Sequence, residues 1–144
     1  MKTVKCVEVT VRSVIDNLEG GLPVGDPEIT VITARGSLTA EGEALSLKYR
    51  ETEGEQYTDC ELRLYSHGIS LSRRGAVVCD LLFSEGEECS TVYSVPPYKF
   101  DMTVLAKRIR GSITDGGGEL SLLYSMNIGG QDKSVRMKIA VKEI

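Results

Sequence analysis

Two ionisable residues fall where strand-forming segments should present apolar side chains. Arg73 shares its alternation with Ile69 and Leu71, and Glu51 shares its own with Leu45, Leu47 and Tyr49, so both point to the buried face of any sheet built from these segments. A guanidinium withdrawn from water without a partner costs roughly several kcal/mol, so Arg73 must be paired, hydrogen-bonded or close to an opening. Glu51, Tyr49, Tyr93 and Tyr124 are its natural partners. One reading is a polar plug in which the arginine ties strands together at one end of a barrel. The other is a small-ligand site for an anion or carboxylate, with Arg73 as a fork-shaped donor and the tyrosines as walls and orienting hydroxyls.

Other chemistry has little to stand on. His67 is the sole histidine and falls in a hairpin turn, so a histidine metal site has no second ligand and no nucleophile–base pair stands out. No catalytic residue, metal ligand or cofactor is assigned, and no enzyme is expected. Gly116-Gly117-Gly118 lacks the Gly-Lys-Ser/Thr of a phosphate loop and precedes a strand, so it reads as a turn. Glu85, Glu87 and Glu88 lack calcium-loop spacing. Lys107-Arg108-Ile109-Arg110 and Arg73-Arg74 are basic, but without interleaved aromatics they read as a solvated edge. A net charge of -4 and a pI near 5.1 also argue against nucleic acid as a partner.

These residues must be positioned by strands. From about Pro27 to the last residue, apolar alternation restarts roughly every ten residues with Gly, Asp or Ser between segments, the pattern of an antiparallel sheet that curls to bury one face. The chain of 144 residues suits one domain with a core of Leu, Val and Ile. Val7, Val9 and Val11 give a first strand. Asp16 to Pro27, with three Gly and two Pro, predicts a long loop framing the barrel mouth. Ile29 to Ala34 predicts a buried strand that continues past a bend at Gly36. Further strands are expected at Leu45–Glu51, Thr58–Ser66, Lys99–Leu105, Leu120–Asn127 and Ser134–Glu143, with hairpin connections at His67-Gly68 and Gly129-Gly130. Cys6, Cys60 and Cys79 lie among apolar residues and read as small core residues. Four scattered cysteines and charges within the first fifteen residues point to a cytoplasmic protein without a signal peptide or membrane span.

With the strands placed, a set of residues resembles the YwiB-like family of uncharacterised bacterial proteins, DUF1934. The set is Leu47-Lys48-Tyr49-Arg50-Glu51, Arg73-Arg74-Gly75, Phe83-Ser84-Glu85-Gly86, Tyr93 with Pro96, Phe100 with Met102, Lys107 with Ile109, and Gly117-Gly118-Glu119 leading to Tyr124. The resemblance covers about residues 30 to 144. It implies an all-β fold, a single antiparallel calycin-like (lipocalin-like) β-barrel over residues 1–144, and no assigned activity. At Val95-Pro96-Pro97-Tyr98 the chain departs from the family's Thr-Pro-Tyr-Gly, so no role is carried to Pro97 or Tyr98.

The sequence therefore predicts a cytoplasmic, non-catalytic barrel that binds a small anionic ligand at its mouth. The alternative is a protein-interaction module with a filled barrel. Large inward residues such as Tyr49, Leu81, Phe100, Met102 and Met126 predict an interior mostly closed by its own side chains. Val78 and Leu82, on the opposite face from Val77, Cys79, Leu81 and Phe83, predict a weak homodimer through the outer surface.

Overall fold

Alternation of apolar and polar residues builds strands throughout the computed structural model, which describes residues 2–144 and contains no helix among them. The ten strands are β1 Lys2–Glu19, β2 Leu22–Glu41, β3 Ala44–Glu53, β4 Gln56–Tyr65, β5 Gly68–Gly75, β6 Cys79–Phe83, β7 Glu88–Val95, β8 Tyr98–Thr114, β9 Gly117–Ile128 and β10 Gln131–Glu143. All ladders are antiparallel, in the order β6-β5-β4-β3-β2-β1-β10-β9-β8-β7. Each strand thus pairs with a sequence neighbour, and the β1–β10 ladder joins the first strand to the last. The sheet ends, β6 and β7, meet through one bridge in which Val78 and Ser94 exchange N–H···O bonds of 2.8 and 2.9 Å. The result is a nearly closed all-β barrel.

The interior divides into two halves. At one end Val7, Leu38, Leu47, Leu62, Phe83, Val104, Leu120 and Ile139 are completely or almost completely buried, a packed plug of aliphatic side chains around one aromatic ring. At the other end β1, β2 and β10 run on beyond the plug. Their inward residues change there from Val7, Val9 and Val11 to Ser13, Glu28, Thr30 and Lys133, which line an open cavity.

The structure corrects several local expectations. Asp16–Pro27 is not a long loop: β1 continues to Glu19 and β2 begins at Leu22, around a two-residue turn. Gly20 and Gly21 both have positive φ (58° and 81°), the backbone a tight hairpin needs and which Gly supplies without strain. A three-residue bulge at Gly25-Asp26-Pro27, between the pairs Asn17–Val24 and Ile15–Glu28, absorbs the proline. Ile29–Ala34 is a strand but not a buried one, because only one of its edges is paired; Ile29 and Val31 are 55% and 59% exposed. The β4–β5 turn is Ser66-His67 rather than His67-Gly68, since Tyr65 pairs with Gly68. The strand expected at Lys99–Leu105 runs from Tyr98 to Thr114, carried past Ala106 by a bulge. Cys6 is exposed, whereas Cys60 and Cys79 are core residues as expected. Val78 is half-buried as part of the closing bridge, leaving Leu82 alone exposed of the two outward residues assigned to a dimer surface.

Candidate functional site

The open half encloses a cavity of about 660 Å³. The expectation of a barrel filled by its own side chains therefore holds at one end only. The plug closes only one end, and the large residues expected to fill the other stand around the space instead. Phe100 is 42% exposed at the rim, while Met102, Met126 and Tyr124 form walls. Phe83, the central ring of the plug, lies 4.9 Å from Tyr124 at a 52° tilt, so the plug meets the cavity at that aromatic pair.

Arg73 and Glu51 are brought together inside this cavity, as their strand alternation predicts. Arg73 Nη2 donates to Glu51 Oε2 at 2.6 Å, with 23% and 18% of the two side chains exposed. Register explains the neighbourhood: Tyr49, Cys60, Arg73 and Cys79 form one rung across β3, β4, β5 and β6. Two thiols therefore flank the guanidinium. Arg73 Nε is buried and has no hydrogen-bond partner, although a lost hydrogen bond at a buried polar group costs about 1–3 kcal/mol. Burial works against the charge of Arg73, but Glu51 outweighs it and holds the guanidinium protonated.

The remaining site residues are neutral donors. Burial raises the Tyr49 hydroxyl well above its usual range, with Cys60 and Glu51 adding to the shift. Burial also raises Tyr124 and, less completely buried, Tyr93, with Arg73 opposing in both. The Cys60 thiol is pushed up to about 12 by burial and then by Glu51, and burial raises Cys79 as well. None of these groups is activated as a nucleophile. All five residues predicted for the site, Tyr49, Glu51, Arg73, Tyr93 and Tyr124, line the cavity.

Sequence reasoning missed the rest of the rim. Glu28, Thr30 and Ile32 of β2, Glu53 of β3, and Gln131 and Lys133 of β10 also line the cavity. Lys133 was legible as an extension of the β10 alternation, but β2 was not, because β-branched residues occupy both its faces. The lining carries the carboxylates of Glu28, Glu51 and Glu53 against the cations Arg73 and Lys133, a surplus of one negative charge. Among the described residues no group of three or more His, Cys, Asp or Glu could hold a metal ion. No helix among them is long and apolar enough to cross a membrane.

The basic residues do not join the site. Arg74 pairs with Asp80 at 2.9 Å and Arg110 with Glu85 at 2.9 Å. Arg108 and Arg110 flank a separate groove with Arg12, Arg136 and Lys138. Three of those five cations already have acidic partners, Arg110 with Glu85, Arg136 with Asp16 and Lys138 with Glu119.

The chain superposes on the crystal structure of the ywiB protein from Bacillus subtilis with a TM-score of 0.78 and 18% sequence identity, over 95% of this chain and 92% of that one. At that identity the likeness shows the shared fold. Among curated proteins nothing matches the chain. The model of DUF1934, a domain of unknown function, matches residues 10–139, which spans the barrel from β1 to β10 and every residue of the Arg73 site, and the chain belongs to that family.

Proposed function

We propose that this protein is a non-catalytic, cytoplasmic binding protein that takes a small molecule into the open end of its barrel. The observation that carries this reading is a cavity of about 660 Å³ with the partly exposed Arg73–Glu51 pair and three tyrosines in its wall. That volume lies within the range of roughly 300–1,000 Å³ typical of small-molecule sites. A ligand acceptor placed in the cavity takes a guanidinium N–H of Arg73 that Glu51 leaves free. The apolar body of the ligand then rests on Met102, Met126, Ile128 and Leu71, and the tyrosine hydroxyls orient its polar atoms. This is the way calycin-like barrels, the architecture the family resemblance implies, use their mouths.

The charge balance refines the ligand. Glu51 already neutralises Arg73, and the rim adds Glu28 and Glu53, so a multiply charged anion would meet repulsion. A single carboxylate or other acceptor on an amphipathic molecule fits better. The open half of the barrel weighs against the reading of a filled interaction module.

The test is isothermal titration of decanoate and decylamine into the wild type and Arg73→Met. Decanoate should bind the wild type and lose at least about tenfold in the variant, the scale of one charge-assisted hydrogen bond. Equal decanoate affinity in both proteins, or no binding of decanoate to the wild type, overturns the role given to Arg73.

A further inference from the structure

β2 leaves the barrel wall halfway along its length. It pairs with β1 from Leu22 to Glu41 but with β3 only from Gly36 to Glu41, so the edge from Glu28 to Arg35 has no partner strand. The fork has a physical cause. Gly36 pairs with Tyr49, and a Cβ at Gly36 would come within 2.3 Å of the Lys48 carbonyl oxygen, so the two backbones are already in close approach there. One rung further the same register would set Arg35 against Arg50, and like charges directly opposite destabilise a ladder. The strands separate instead, leaving a cleft of about 480 Å³ lined by Val31 to Arg35 with Arg50 and Thr52.

Proteins usually blunt a free edge with proline, charge or a bulge. Here Pro23, Pro27 and the bulge protect only the hairpin end. The run Ile29-Thr30-Val31-Ile32-Thr33-Ala34 carries neither proline nor charge and is almost wholly β-branched, a composition made for strand pairing. Its outer face exposes Ile29 and Val31.

We propose that this edge is the interface of a homodimer, in which β2 of each copy adds antiparallel to β2 of the other about a two-fold axis at Thr30. Three features favour a second copy over an unrelated strand. An antiparallel edge is its own hydrogen-bonding complement under a two-fold axis. The axis places Ile29 and Val31 of one copy beside the same residues of its partner. It also brings the Asp26 end of one edge to the Arg35 end of the other, and among the described residues neither Asp26 nor Arg35 takes part in an ion pair within its own chain. Pairing would extend the barrel wall at the place where β3 departs, beside Glu28, Thr30 and Ile32 of the cavity.

An interface of about seven residues a side is small, so the dimer should form in the range of about 10 µM to 1 mM protein. Sedimentation velocity across that range should show the wild type shifting from monomer to dimer. Ile29→Lys with Val31→Lys should remain monomeric at every concentration while keeping the wild-type circular dichroism spectrum and melting temperature, since both side chains are exposed. Asp26→Arg should weaken the dimer, and Arg35→Asp added to it should restore association. Hydrogen exchange should show amides between Glu28 and Arg35 gaining protection as concentration rises. A wild type monomeric throughout, an unchanged dimer in the lysine variant, open-ended association beyond two copies, or capture of a foreign peptide by this edge in place of self-association would each overturn the proposal.

Discussion

The two ends of the barrel use the same strands and reach opposite outcomes. At the plugged end the inward residues are aliphatic apart from Phe83 of β6 and Cys89 and Thr91 of β7, and Leu47, Leu62 and Phe83 have no exposed surface. At the open end the inward positions of the same strands carry Glu51, Arg73 and Tyr93, and the space between them is not filled. One strand can therefore serve both purposes: β5 contributes Ile69 toward the plug and Leu71 and Arg73 to the cavity wall. The most completely buried side chains gather at one end, and the other keeps an ion pair with an orphaned donor.

The sharpest way to break this comparison is to truncate both ends. Phe83→Ala should destabilise the protein by about 3–5 kcal/mol in a denaturant titration, the range for a fully buried aromatic side chain. A loss of less than about 1 kcal/mol would mean that the plug is not the core.

Alkaline pH probes the boundary between the ends. The folded-state pKa of Cys60 is raised to about 12 from 9.0, and Tyr49, Tyr93 and Tyr124 are raised from 10.0. The folded protein then holds protons that the unfolded chain releases. The stabilisation is fully present below pH 9 and is lost as pH rises from 9 toward 12. Urea midpoints measured between pH 7 and pH 11 should fall only beyond pH 9, and a flat profile would place these groups in water.

Arg73→Ala should cost less than the plug variant, about 1–3 kcal/mol, because it strands Glu51 in a site that water still reaches. The same titration on Glu51→Gln separates the pair from the packing of the arginine stem. At the low end of the scale, Met126→Ala should cost under about 1 kcal/mol, since its side chain is half-buried against an open cavity. A cost above that would show the cavity wall to be part of the core. Thiol accessibility gives the finest comparison: in the native protein a disulfide reagent should modify Cys6 rapidly and leave Cys60 and Cys79 protected.

Much of this was readable along the chain. The inward placement of Arg73 and Glu51 followed from a period of two, because side chains alternate faces by geometry alone. The hairpin turn at Gly129-Gly130 was likewise local. The hairpin tip was misread because Gly20-Gly21, Gly25 and two prolines together suggest irregular structure, whereas the β1 ladder tolerates them through one turn and one bulge. The exposure of Ile29 and Val31 was not legible, since a strand reads the same whether one or two neighbours flank it.

By itself the sequence determined the all-β fold, the inward pair of Arg73 with Glu51 and the tyrosines around it, since each depends only on alternation and on local turn chemistry. The tertiary structure decided how the interior is shared between plug and cavity, which residues of β2 and β10 complete the rim, and where β2 parts from β3. Those outcomes depend on how far each strand extends beyond its neighbours and on which side chains meet across rungs distant in sequence, such as Gly36 with Tyr49 and Cys60 with Arg73. Alternation along one strand carries no record of either.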